Sequence, residues 1–249
     1  MLFHEFAPLK EEYETIVISP STLEHELVPT PDFMKQSDLR KRAMTFRAWN
    51  IIEDIVWITI TQWKEKGYEK CNIWRQYMNK NRMEFYSPSW TLDKQYLWLY
   101  DWLEQVVDLA DPYYAGDLYN LRSHNWLVEI AASWYKVLLK WECDWGIDWQ
   151  ALFDNKTSKW KRDEEEMWNT RCYQARFYSW IQFLSHPELE KISFTYLIFQ
   201  KNKKILLQDM TRILTREECE KFVWEKLKEY LTKVKRWEIK TSEEALDRL

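Results

Sequence analysis

Asp144, Asp154, Lys156, Gln174 and Tyr178 are the side chains whose types and spacing suggest chemistry. Asp154-Asn155-Lys156-Thr157-Ser158 follows the apolar run Ala151-Leu152-Phe153. If that run is a strand, residues two apart share a face, so Asp154 and Lys156 project together and Asn155 points away. A carboxylate there can hold a divalent metal, and the ammonium can orient a water and stabilise charge on a phosphate. Asp144, from an adjoining strand, would complete a carboxylate pair. Hard oxygen ligands favour Mg²⁺ or Mn²⁺, which polarises a phosphate and lowers the pKa of the attacking water. These are the parts of a metal-dependent phosphodiester-cleaving site. An acid-x-Lys pair alone most often means exposed charges; its weight comes from the acid before it and the Gln-x-x-x-Tyr after it.

The elements that must carry these residues can be placed by pattern. Ile16 to Ile18 reads as extended and feeds a helix with Ser19 as N-cap and Pro20 at its first position. A longer helix is expected from about Ser37 through Thr61, with Phe46, Ile51, Ile52, Ile55 and Val56 at helical spacing and Glu53 as its acid of interest. Residues 62–122 mix aromatic and polar side chains without sustained alternation, which predicts several helices forming an insertion beside the core. Those aromatics suit either a packed core or stacking on single-stranded DNA. Trp126 to Ser133 is a short apolar stretch carrying Glu129, and Trp134 to Cys143 is strand-like. Gly146 to Gln150 is expected to turn the chain into the Asp154 strand. After the charged run from Lys159 to Glu166, one helix is expected over Met167 to Leu184. Ile192 to Phe199 and Ile205 to Met210 are expected to form an antiparallel pair, joined by Lys201-Asn202-Lys203. Thr215-Arg216-Glu217-Glu218 is a capping box for a last helix to about Arg236. The order predicts an α/β sandwich with a small mixed sheet flanked by helices, not a doubly wound parallel fold.

Composition narrows the class. A chain of 249 residues that is 46% hydrophobic can bury a sizeable core, so disorder is excluded. No apolar run approaches a membrane span, and Met1-Leu2-Phe3-His4-Glu5 lacks the order of a signal peptide, so a soluble cytoplasmic protein is expected. The four cysteines, at 71, 143, 172 and 219, make no C-x-x-C pair and signal no structural zinc. The net charge of −4 does not coat the protein in positive potential, but a cleft needs only local charge. Residues 191–240 hold 13 Lys and Arg against 7 Asp and Glu, a candidate DNA-facing flank or a solvated helix face.

The pairing of 17 Trp with 3 Gly is anomalous, because ordinary usage predicts roughly 17 Gly in this length. Trp90, Trp149 and Trp160 stand where turn chemistry favours Gly. Two accounts stay open: a stop codon reassigned to Gly and written here as Trp, or heavy Trp use for packing and stacking.

The chain resembles the PD-(D/E)xK nucleases, specifically their RecB-like and phage-exonuclease branch. Phe153-Asp154-Asn155-Lys156-Thr157-Ser158 resembles that family's aspartate-x-lysine-threonine strand, and Gln174-Ala175-Arg176-Phe177-Tyr178 its later helical motif. Trp141-Glu142-Cys143-Asp144 is similar to its Gly-x-x-Asp, with Trp for Gly. Ile18 to Ser21, Phe194 to Met210 and Thr215 to Glu218 resemble its opening segment, closing hairpin and last helix, while 62–122 is unmatched. The resemblance implies Asp144 and Asp154 as metal ligands and Lys156 as the catalytic lysine. Glu129 would occupy the family's acidic helix position as a ligand, direct or through water. Glu53, four residues after Trp49 where the family has Gly, would be a further ligand. Gln174 and Tyr178 would position DNA or the lysine. Cysteines matching the iron-sulfur branch are absent, so no cluster is expected. Asp148 rivals Asp144, though its place suits the turn, and His124, just upstream of Glu129, reads as structural.

The leading expectation is a Mg²⁺-dependent DNase, an exonuclease of recombination, repair or phage replication, with DNA and a protein of such a complex as partners. The alternative is a catalytically silent DNA-binding or scaffold subunit on the same fold. A third reading is a Trp-rich glycan- or single-strand-binding protein.

Overall fold

The computed structural model describes residues 14–28, 39–82, 94–116, 126–132, 135–141, 145–147, 150–158, 160–201 and 204–235. Its strands and helices run β1 (Glu14–Ile18), α1 (Pro20–Leu27), α2 (Leu39–Gln62), α3 (Lys64–Lys80), α4 (Lys94–Ala110), β2 (Trp126–Ala132), β3 (Tyr135–Trp141), β4 (Trp145–Ile147), β5 (Ala151–Ser158), α5 (Glu164–Asn169), α6 (Tyr173–Ser185), β6 (Lys191–Lys201), β7 (Ile205–Thr215) and α7 (Arg216–Lys235). The class is α/β, with two small mixed sheets. One has the order β1-β3-β2, with β1 parallel and β2 antiparallel to β3. The other has the order β4-β5-β6-β7, with β5 and β6 parallel and both edge pairings antiparallel.

Strand β6 is the pivot. Ile192 to Phe199 is apolar almost without interruption because a strand covered on both faces has no solvent side to alternate with. Phe194, Tyr196 and Ile198 enter one core with Leu152, Ile16, Ile18 and Val137, packed against α1, α6 and α7. Leu197 and Phe199 enter a second core with Ile51, Ile55, Val56, Trp102 and Val106 of α2 and α4. Burying each such side chain stabilises the fold by about 1.5–3 kcal/mol. The helices expected within 62–122 are thus present as α3 and α4, and together with α2 they cover one sheet face.

Gly67 of α3 allows that layer to close. A Cβ there would stand 2.3 Å from Thr59 Oγ1 and 3.0 Å from Val107 Cγ2, so only a residue without a side chain lets α2, α3 and α4 meet. Thr59 turns its hydroxyl back onto the Ile55 carbonyl at 2.8 Å, which satisfies it inside the core.

Several expected boundaries shift. Trp145–Ile147 is a strand paired antiparallel with β5, Trp145 opposite Phe153, so Gly146 and Ile147 belong to a strand and not to the expected turn. Strand β7 continues past Met210 to Thr215, because it pairs with the whole of β6. The single helix expected over 167–184 is two. Asp163 caps α5 by accepting from Glu166 N at 2.8 Å, and the helix ends at Asn169. The break is held from outside: the Tyr196 hydroxyl of β6 donates to the Arg171 carbonyl at 3.5 Å and accepts from Ala175 N at 3.4 Å. It thereby occupies backbone groups that a continuous helix would have paired internally. The Thr215 capping box forms as expected, with Thr215 Oγ1 accepting from Glu218 N at 3.3 Å.

Candidate functional site

Strand β5 presents the chemistry. Leu152, Asp154 and Lys156 share the face that looks toward α6, and Leu152 anchors it in the first core. Asp154 is 1% exposed. Its Oδ2 lies 2.5 Å from Lys156 Nζ, an ion pair whose cationic partner is about one-third exposed. At that distance the ammonium is the counter-charge of the buried oxygen. Burial pushes the Asp154 carboxyl above the usual carboxylate range, and the Lys156 ammonium opposes that rise.

Above Lys156 opens a cleft of about 120 Å³ lined by Glu24, Lys156, Thr157, Arg162, Arg171 and Gln174, with Met167 and Ile198 beneath. Gln174 stands on α6 one turn before Tyr178 and donates from Nε2 to the Tyr178 hydroxyl at 3.2 Å. Tyr178 is buried behind it, its ring 6.5 Å from that of Phe194. Gln174 is thus held from the protein side and reaches the same cleft as Lys156, whereas Tyr178 supports it from within.

Three lining residues escaped the sequence reading. Glu24 comes from α1, Arg162 from the segment between β5 and α5, and Arg171 from the break between α5 and α6. Arg171 pairs with Glu166 at 2.8 Å and with Glu24 at 3.6 Å. The Arg162 backbone is clamped on both sides by Gln208 of β7, which accepts from Arg162 N and donates to Arg162 O, each at 3.0 Å. The only early signal was positional: Glu24 lies in the helix opened by Ser19 and Pro20, and the two arginines flank the acidic start of α5.

The remaining expected ligands are placed as follows. Glu129 belongs to strand β2, opposite Leu138 of β3, where the resemblance implies a helix; its apolar neighbours pair edge to edge with β3 instead of coiling. Its side chain lies outside the described residues, as do Asp144, Asp148 and His124. Glu53 is half-buried on α2, the layer packed on the sheet face opposite Asp154. Trp49, one turn earlier, donates from its indole nitrogen to the Asn155 carbonyl at 3.4 Å, which ties α2 to β5. Among the described residues no three His, Cys, Asp or Glu side chains stand together as a metal would need. Cys71, Cys172 and Cys219 are buried thiols.

A second depression of about 350 Å³, lined by Glu190, Arg216, Glu217, Glu220, Lys221 and Trp224, is shallow and of mixed charge. Its Arg216 is structural, donating to the carbonyls of Phe183, His186, Pro187 and Leu189 at 2.6–3.3 Å. Lys156, Arg162 and Arg171 converge on the smaller cleft, and Lys156 links it to the buried Asp154, so this is the candidate site. Among the described residues no helix is long and apolar enough to cross a membrane.

No family model matches the chain, and no curated protein does. A solved structure described as "Crystal structure of SSO0001" is similar at a TM-score of 0.28 and 14% identity, over 89% of this chain and 78% of that one. A likeness of that size carries no functional argument.

Proposed function

We propose that the chain is a divalent-metal-dependent nuclease acting on DNA, an exonuclease of recombination, repair or phage replication, built on a PD-(D/E)xK core. The observation that carries the reading is the Asp154–Lys156 pair. A carboxylate 1% exposed and a partly exposed ammonium stand two residues apart on one strand face, and the ammonium lines a cleft that also holds two arginines. A carboxylate buried this deeply, with a single ammonium paired to it, is a costly arrangement for structure alone, and it suits a metal ligand.

Asp154 would hold Mg²⁺ or Mn²⁺ together with Asp144 and Glu129, and the ion would supply Lewis-acid polarisation of the phosphate. Asp154 fixes the position of Lys156 Nζ, which is the proton-bearing group best placed to face a phosphate oxygen or the attacking water in the cleft. Gln174 and Tyr178 hold the wall against which the strand lies.

The test is cleavage of linear DNA with Mg²⁺ or Mn²⁺ by the wild type, Asp154→Ala and Lys156→Ala. Both variants are expected to lose at least about 100-fold in rate, the scale for removing one group that stabilises transition-state charge. Unchanged activity in both would sink the assignment. DNA binding with no cleavage by the wild type under either metal would instead make the chain a silent DNA-binding subunit.

A further inference from the structure

Resting on the nuclease reading, we propose that Arg162 and Arg171 form a seat for one phosphate group of the substrate strand, beside the phosphate that meets Lys156. Three cations, Lys156, Arg162 and Arg171, line the cleft with one carboxylate, Glu24, while Asp154 and Glu166 pair with Lys156 and Arg171 from outside its lining. At about 120 Å³ the space falls well below the roughly 300–1,000 Å³ of small-molecule pockets, so it suits a compact oxyanion and not a whole nucleotide. Gln208 fixes the Arg162 backbone on both sides, which sets where its side chain starts, and Glu166 and Glu24 hold the Arg171 guanidinium itself. The Arg171 guanidinium held this way loses little side-chain freedom when it binds a phosphate, and the planar fork of each arginine can engage two oxygens at once. Gln174 adds an amide at the same wall.

The experiment measures binding in the absence of metal, so that its failure is separate from failure of cleavage. Inorganic phosphate and short oligonucleotides, carrying a 5′-phosphate, a 3′-phosphate or hydroxyls at both ends, are titrated onto wild type, Arg162→Gln, Arg171→Lys and the double variant. Thermal denaturation of each confirms folding, and Arg171→Lys keeps the charge that Glu24 and Glu166 require. The double variant is expected to bind oligonucleotide about tenfold more weakly and to lower the salt slope of log K by about one. Stabilisation by inorganic phosphate should be lost. A loss confined to one phosphorylated end assigns the seat to a terminal phosphate; an equal loss with all three assigns it to an internal one. Unchanged affinity and salt slope in the folded double variant would overturn the proposal while leaving the cleavage test standing.

A separate observation carries a second inference. Trp63, the single residue between α2 and α3, has φ 80° and ψ 158° and is the only non-glycine with positive φ among the described residues. That region is essentially restricted to glycine. The side chain gains little in return, being 62% exposed with its ring against Tyr114 at 4.8 Å. Trp160, 68% exposed in a bend, shows no positive φ, so its backbone does not call for Gly. Trp102, Trp168 and Trp180 are 0–4% exposed within the two cores. We infer that Trp63 is a glycine position whose codon is a stop codon reassigned to Gly in the source. The gene is expected to carry UGA at 63 and UGG at 102, 168 and 180. Trp63→Gly is expected to raise Tm by about 2–4 °C or more. UGG at 63, or a lower Tm for Trp63→Gly, would overturn it.

Discussion

Removing Lys156 should expose how the protein tolerates a buried carboxylate. Lys156→Met keeps the side-chain length and leaves Asp154, whose side chain is 2% exposed, without its ion-pair partner. Breaking a fully buried pair costs about 3–5 kcal/mol. Lys156 is one-third exposed, so solvent replaces part of what it supplied, and about 2–3 kcal/mol is expected at neutral pH. For a chain of this size that is a drop in Tm of roughly 5–10 °C. The sign of the pH dependence follows from the direction of the Asp154 shift. Its folded pKa is raised by burial, so the folded state holds the proton more tightly than the unfolded state does. Stability is therefore greatest below the unfolded value of 3.8 and is lost as pH rises through the folded pKa. Lys156→Met moves that folded pKa further up, so its deficit against wild type should be large at neutral and alkaline pH and shrink in acid. Asp154→Asn removes the charge, and at alkaline pH it should be more stable than wild type while cutting no DNA. Asp154→Asn with Lys156→Met should recover most of the Lys156→Met loss. Urea denaturation across pH in metal-free buffer measures all four proteins. A Lys156→Met deficit that does not depend on pH, or an Asp154→Asn variant less stable than wild type at alkaline pH, would refute the reasoning.

Other perturbations test the frame around the site. Gly67→Ala forces a Cβ to within 2.3 Å of Thr59 Oγ1, so thermal denaturation should show a loss of about 1–3 kcal/mol, partly recovered by adding Thr59→Ala. Tyr196→Phe deletes the hydroxyl shared by Arg171 O and Ala175 N; about 1–3 kcal/mol should be lost, with faster amide exchange at Ala175. Arg216→Lys cannot span four carbonyls, and chemical denaturation should show a loss of about 1.5–3 kcal/mol with protease cutting near 186–190.

The features determined by the sequence itself are those set by short-range rules. Pro20 opens α1 because its fixed φ and missing N–H suit the first turn. Thr215 and Glu218 start α7 through a reciprocal local contact. Asp154 and Lys156 share a face because strand periodicity is two, whatever surrounds the strand. The apolar-rich run of β6 likewise announced a strand, though not that both its faces would be covered or by which helices. The tertiary structure decided the rest. The break at Thr170–Cys172 has no local signature, since Met167, Trp168, Cys172 and Ala175 continue a helical spacing; it exists because a hydroxyl on β6 takes up the freed backbone groups. Strand β4 is three residues long and is defined by its partner. The cleft itself is assembled from α1, β5, the approach to α5 and the start of α6. Glu24, Arg162 and Arg171 could not be chosen among 40 acidic and 36 basic residues until the β5–β6 crossover brought the two arginines over Lys156 and the packing of α1 brought Glu24 beside Arg171.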